Sequence, residues 1–475
     1  MTRKFACRTV PSTWMAQNGR RLDCGPYMSG GIEAREILKK HRTMPLRELT
    51  AGHAGGIFNG PQFVRNYVSD PDHGVPFLTT STMLQADLSM LPLLSRKDAH
   101  SRKLSFLEVK EGMTLISCSG SVGRMVYARK DMEGTWSNQD IMKVVASRDK
   151  IPPGYLYSFL RSRFGVPVII SETDGAIIQH IEPNHIADLP VPRLGEVEEQ
   201  THALVQRAAD LLTIYQANIN EATRLFFESV GLKDITAAEW HSWGADVGFP
   251  TIMKGVESLR ALNFNPRFLK LCARIKRGPW KPLGEICVPG TLKRGNRFNR
   301  IEADPEFGFR LIGQKDLFVL QPEGRWVAKN SVPEGGLVEE GSILVAARGT
   351  FGESELYCQS GFAWGKELRN AYSEDILRVL AEKMVMHRGA LFAFMRSETA
   401  FRMLRSISVG SKLQDHHYNM LPALPIPFPP SDIQQKTHEL IVEAYQSREQ
   451  AVALEDQART LVENAIEAGG RSWRR

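Results

Sequence analysis

The sequence predicts a mixed α/β chain built as two copies of one plan and joined through two long antiparallel helices. Three observations lead there. A polar loop, a proline-rich turn and a helix start recur in the same order, as GAIIQHIEPNHIADLPVPRLGEVEEQTHALV from Gly175 and GSKLQDHHYNMLPALPIPFPPSDIQQKTHELI from Gly410. Gln179 answers to Gln414, Asn184 to Asn419, Leu189-Pro190 to Leu424-Pro425 and Thr201-His202 to Thr437-His438, at an offset of 235 that becomes 236 beyond the prolines. Each turn leads into a long pattern with apolar residues three and four apart, the spacing of one helix face.

Upstream the duplication continues. RRLDCGPYM at 20–28 resembles SLRALNFNPRFLK at 258–270, and MPLREL at 44–49 answers KPLGEI at 281–286 as the lead-in to a first strand. VKEGMTLISCSGSVG at 109–123 matches VEEGSILVAARGTFG at 338–352 at an offset of 229. An apolar run between an acidic-Gly turn and a polar G-x-x-G describes a hairpin whose glycines let backbone approach a partner closely. Its tip carries Ser119 and Ser121 in one copy, Arg348 and Thr350 in the other. GYLYSFLRS at 154–162 and GALFAFMRS at 389–397 read as apolar core helices ending in Arg-Ser.

In the two long helices a seven-residue spacing places Val197, Leu204, Leu211, Asn218 and Leu225 beside Thr201, Ala208, Tyr215 and Ala222. The second helix gives Ile433, Leu440, Ser447, Leu454 and Leu461 beside Thr437, Ala444, Ala451, Ala458 and Ala465. Narrow seams with an alanine-rich row suit close packing on a partner helix, and the economical partner is the other copy as a coiled coil. The domain plan is then an extension at 1–19, a first domain at 20–195, its helix at 196–230, a linker at 231–257 in which Trp240 and Trp243 dock on a neighbour, a second domain at 258–430, its helix at 431–467, and a tail at 468–475.

At 475 residues the chain has room for two to four domains, and 42% hydrophobic with 24% charged residues is ordinary for a globular protein. It has no apolar run of membrane-spanning length and its first residues lack the apolar stretch of a signal peptide, which predicts a cytoplasmic protein with no membrane partner. The cysteines are scattered without a C-x-x-C pair, which predicts free thiols and no metal site. Net charge is +7, and residues 267–300 hold ten basic residues against the single acid Glu285. Interleaved with Trp280, Phe298 and several glycines, that run points to nucleic acid.

Two stretches come near enzyme motifs. Asn265-Pro266-Arg267-Phe268 is near the N-P-P-F/Y motif of adenine methyltransferases, but Arg267 replaces the second proline and no glycine-rich cofactor loop accompanies it. Glu108-Val109-Lys110, with Asp87 or Asp98 upstream, has the pattern of a metal-dependent nuclease, but its counterpart Leu337-Val338-Glu339 lacks the pattern. No catalytic residue is expected. A protein-binding scaffold without DNA readout stays as the alternative, opposed by the basic run.

In order and in duplicate, these motifs resemble the DNA-specificity subunit of Type I restriction-modification systems over roughly residues 20–467. The resemblance rests on the RLD-to-PYM opening, the S-G-S-V-G and R-G-T-F-G turns, the G-x-x-x-Q loops and the LPVP and LPIPFPP turns before EEQTH and QQKTH. It implies two target-recognition domains, each reading half of a split DNA site. It also implies that the helices space the domains and bind two adenine methyltransferase subunits, a core that translocating nuclease subunits can join. This chain would then bind no cofactor, and S-adenosylmethionine would sit on the methyltransferase. The first turn departs from the family in lacking the paired prolines kept at Pro429-Pro430.

The expected DNA contacts follow. Gln179 and Gln414 match adenine and Arg348 matches guanine, while Ser119, Ser121 and Asn138 can meet base edges or phosphates. Arg124, His180, Thr350 and Lys412 flank the same tips and loops. Lys293, Arg294, Arg297 and Arg300 are expected on phosphates, binding all sequences alike. A helix of about 31 residues spans roughly 46 Å, enough to hold two readers about one turn of DNA apart, roughly 34–36 Å.

Overall fold

The computed structural model of the chain describes residues 7–17, 20, 22, 24–173, 179–245, 248–250, 258–353 and 355–472. Parts of several assigned segments lie outside them: residues 1–6, 18 and 19 of the extension, 21 and 23 of the first opening, 174–178 before Gln179, 246, 247 and 251–257 of the linker, and 473–475 of the tail.

Each copy carries a short apolar helix and then a long one: α1 (Pro153–Leu160) and α2 (Glu196–Ser229) in the first, α3 (Arg388–Met395) and α4 (Ser431–Ser472) in the second. The long helices run antiparallel. Val205 and Ala209 share a core with Ala458 and Val462, Ala208 and Leu212 with Ala451, and the Tyr215 ring lies 5.5 Å from that of Tyr445.

The seam is displaced by one row from the sequence expectation. Thr201, Ala208, Tyr215 and Ala222 are buried as expected, but their buried companions are Val205, Leu212, Ile219 and Phe226, while Val197, Leu204, Leu211, Asn218 and Leu225 are only half-buried. In α4 the same shift buries Ile441, Arg448, Glu455 and Val462, while Ser447 of the expected row is buried as expected. The cause is that each long helix also packs on the domains: α2 contacts both α1 and α3, and so does α4. A face shared between a helix and a domain is wider than a two-row seam.

A repeated lock explains two of the duplicated motifs. The first backbone amides of a helix have no partner within it, and here the long helix supplies one: Gly154 N donates to His202 Nδ1 and Gly389 N to His438 Nδ1, each at 3.1 Å. A Cβ on Gly154 or Gly389 would stand 2.8 or 2.7 Å from that same nitrogen, so the glycine and the histidine belong together. Burial lowers the pKa of both imidazoles, which favours the neutral form that can accept.

The two domains share one topology. In the first, Thr43–Pro45 pairs antiparallel with the proline-rich Pro190–Pro192, and Ile57–Phe58, Ile141–Val144, Thr114–Ser117 and Met125–Tyr127 follow one another across an antiparallel sheet. In the second, Trp280–Pro282 pairs with Pro425–Pro427, and Lys293–Arg294, Ile376–Val379, Ile343–Ala346 and Ser360–Phe362 form the matching sheet. A further small sheet in each ends on a parallel pair, Gly74–Leu78 with Trp136–Ser137 and Gly308–Ile312 with Ala371–Tyr372. Of the linker, Trp240 is buried in the second domain's core and Trp243 packs partly against it.

The domains also touch each other directly. Ala86 N donates to Phe318 O at 3.1 Å and Leu320 N to Leu84 O at 2.9 Å, so Gln85 and Val319 face each other in an antiparallel bridge. These segments are equivalents at an offset of 234, which makes the contact self-complementary. Beside it the two Arg-Ser helix ends, expected to be core only, act as clamps. Arg396 donates to Asp87 Oδ2 at 2.8 Å, to Ser89 Oγ at 2.7 Å, and to Thr223 Oγ1 and Ile219 O of α2 at 2.7 and 3.0 Å. Its counterpart Arg161 donates to Glu455 of α4 at 2.7 Å and to Gln321 of the second domain. Asp87 is thus engaged by an arginine rather than held beside Glu108 for a metal, and among the described residues no cluster of acids, His or Cys could hold one.

Candidate nucleic-acid interface

In both domains the fold brings the hairpin tip and the glutamine loop together. Gly120 N donates to Gln179 O at 3.1 Å and Ser119 bridges to His180, while Gln414 N donates to Gly349 O at 2.9 Å. Around the first tip, Ser121 and Gln179 are exposed and Ser119 is half-buried. His180 Nε2 lies 2.6 Å from Glu182 Oε1, and Asn59 donates to the other oxygen of that carboxylate at 3.2 Å.

Three expected contacts are placed differently. Asn138 is 3% exposed and donates to Asp140 at 3.1 Å, so its amide supports the loop from within. Gln414 is likewise 3% exposed; its amide nitrogen donates to Ser411 O, and its Oε1 is buried with no hydrogen-bond partner among the described residues. Arg124 points at the other domain and pairs with Glu323 at 3.0 Å. Thr350 and Lys412 are exposed beside the second tip.

The basic cluster is not a set of free cations. Arg300 pairs with Glu374 at 2.7 Å, and Arg294 with Asp415 at 3.0 Å and Asp375 at 3.9 Å. Arg348, from the hairpin tip, lies 3.8 Å from Asp375 and 4.0 Å from Asp415. Lys293 is exposed, and Arg297 is 91% exposed although it comes within 4.0 Å of Glu374. The arginines therefore belong to a mixed pocket whose acids, Glu374, Asp375 and Asp415, the sequence reading did not single out.

A further pairing also escaped the sequence. His416 Nε2 lies 3.4 Å from Cys358 Sγ. Burial pushes the thiol up and the imidazole down to about 4, so the thiolate–imidazolium form needed of a nucleophile is disfavoured on both sides. Asn265 of the N-P-R-F stretch caps a helix by accepting from Arg267 N at 2.9 Å, and the Arg267 guanidinium sits 4.7 Å from the centre of the Trp240 ring, both structural uses.

No family model matches the chain, and no curated protein matches it. Solved structures do. The chain is similar to S subunits of Type I restriction-modification systems. One is the S subunit from M. genitalium, at 12% identity and a TM-score of 0.37, covering 90% of this chain and 94% of that one. Another is the HsdS subunit from Thermoanaerobacter tengcongensis, at 14% identity and a TM-score of 0.26, covering 90% and 96%. A third, from work on complex assembly and conformational transition of the type I R-M system, has 14% identity and a TM-score of 0.26, covering 90% and 97%.

Proposed function

We propose that this chain is the specificity subunit of a Type I restriction-modification complex: a non-catalytic, sequence-specific DNA-binding protein that reads a split duplex site and directs adenine methyltransferase subunits to it. The observation that carries the reading is the duplicated tip and glutamine-loop site, which joins the same two segments in both copies but differs in its side chains, on two domains of one topology. One frame with two unlike polar surfaces suits two different half-sites, as a split site requires. S-adenosylmethionine belongs on the methyltransferase, which would dock along α2 and α4, with nuclease subunits able to join.

Methylome sequencing of the host with and without the gene tests this. The expected result is one adenine-methylated motif, made of two short specified parts and an unspecified gap, that vanishes with the gene. An unchanged methylome, together with no salt-dependent DNA binding by the purified complex, overturns the reading in favour of a scaffold.

A further inference from the structure

We infer that the pocket of the second domain reads a G·C base pair, with Arg294 and Arg348 as guanine donors and Asp375 and Asp415 as acceptors that also turn phosphate away. This rests on the DNA-reading role proposed above and revises the phosphate role expected of Arg294. The pocket has a volume of about 660 Å³ and is lined by Arg294, Gly295, Arg297, Arg348, Glu374 and Asp375. Arg294 and Arg348 come from different segments yet face the same two carboxylates, within 3.0 to 4.0 Å. Both keep solvent access, at 32% and 45% side-chain exposure.

Charge decides between phosphate and base. Two guanidinium groups on two carboxylates come close to cancelling, while Arg300 and Arg297 share Glu374, at 2.7 and 4.0 Å. A phosphate entering between Arg294 and Arg348 would meet both of their carboxylates at that point, whereas binding driven by counterion release needs uncompensated positive charge. A base edge is neutral. In the major groove guanine offers N7 and O6 to an arginine fork, and its paired cytosine offers the N4 amino group to a carboxylate. The pocket holds that donor and acceptor set side by side.

The floor supports the same reading. A Cβ on Gly295 would stand 2.7 Å from the guanidinium of Arg378, which lies beneath the pocket with Nε buried and unpartnered among the described residues. The glycine keeps the wall open over Arg378. In the first domain the equivalent positions are Asn59, Gly60, Ser119, Gln139, Asp140 and His180, with Lys143 beneath. The glycine and one acid remain and neither rim arginine has a counterpart at its own position; a different residue, Arg65, donates to Gln139 at 3.1 Å and lies 3.8 Å from Asp140, so the two domains present different donor sets.

The test uses the assembled complex in its host, with R348Q, R348K, R294Q and D415N, read by methylome sequencing and by competition between duplexes that differ at one position of one half-site. R348Q is expected to relax a single G·C position by roughly 5- to 150-fold while the other half-site stays fully specified. R348K should behave like R348Q, because an ammonium keeps the charge but not the fork. D415N should raise binding to all duplexes and steepen its salt dependence. If R348K retains full discrimination, or both half-sites keep every G·C position in all variants, the inference is overturned while the DNA-reading role stands. If no methylated motif depends on the chain at all, the broader proposal fails instead. A variant complex that methylates nothing is settled by the competition measurement on purified protein.

Discussion

Replacing Arg396 by methionine should loosen the junction between the two domains. The arginine side chain is 5% exposed and that of Asp87 30%, and the pair joins the second domain to a loop of the first across α2. Orphaning one member of a buried ion pair costs about 3–5 kcal/mol, and the residual access of water to Asp87 puts this one near 3 kcal/mol. Burial alone would raise the pKa of Asp87, but the Arg396 charge and the Ser89 hydrogen bonds outweigh it and the pKa is lowered. The contribution is therefore complete above the unfolded value of about 3.9 and is lost as pH falls through the still lower folded value. Denaturant midpoints of the wild type, R396M, D87N and the double variant form a cycle, with an expected coupling of about 2 kcal/mol at pH 7. Coupling below about 0.5 kcal/mol at pH 7 would refute the clamp.

Gly389→Ala should destabilise the chain by about 1–3 kcal/mol, because the new Cβ meets both the imidazole and the backbone of His438 and the helix-end amide loses its acceptor; thermal unfolding checks it, and H438A should not restore the midpoint. Lys143 is fully buried and donates to Ser137, and burial pushes its pKa down to about 7. The unfolded chain then holds a proton the folded one sheds, so stability should rise with pH between about 7 and 10.4, and K143M should flatten that slope in pH-dependent denaturation. Four residues inserted into α2 add about 6 Å, and the gap in the methylated motif should grow by up to about two base pairs at 3.4 Å each. That shift requires the Leu84–Ala86 contact with Phe318–Leu320 to let go, so a lower unfolding midpoint should accompany it. An active complex with an unchanged gap would show that this contact, not the helix pair, sets the distance.

The architecture was legible because duplication repeats its constraints. The glycine of GYLY and GALF and the histidine of EEQTH and QQKTH recur together since one occupies the space the other needs. What stayed hidden depends on residues far apart in the chain. Arg161 and Arg396 look like ordinary helix ends until their partners Gln321 and Asp87 arrive from the opposite domain. The arginines at 294, 297 and 300 looked free because Glu374, Asp375 and Asp415, the acids they meet, lie some 75 to 120 residues further on. The seam was misplaced by a row because periodicity reports which face is apolar, not how many neighbours share it. Gln414 and Asn138 had the right chemistry for base edges, yet in the fold both amides are turned inward.

The placement of α4 also bears on how the chain is made. Ala458, Val462 and Ile466 complete the core of the first domain beside Leu38, Val168 and Val205, and the Ile466 carbonyl meets the His41 ring nitrogen at 2.8 Å. The roughly 260 residues between Val205 and Val462 take about 13–50 s to translate at 5–20 residues per second. Throughout that interval the core of the first domain lacks Ala458, Val462 and Ile466. The second domain has α2 in hand before its own first strand emerges, so the domain synthesised last is the one able to close first.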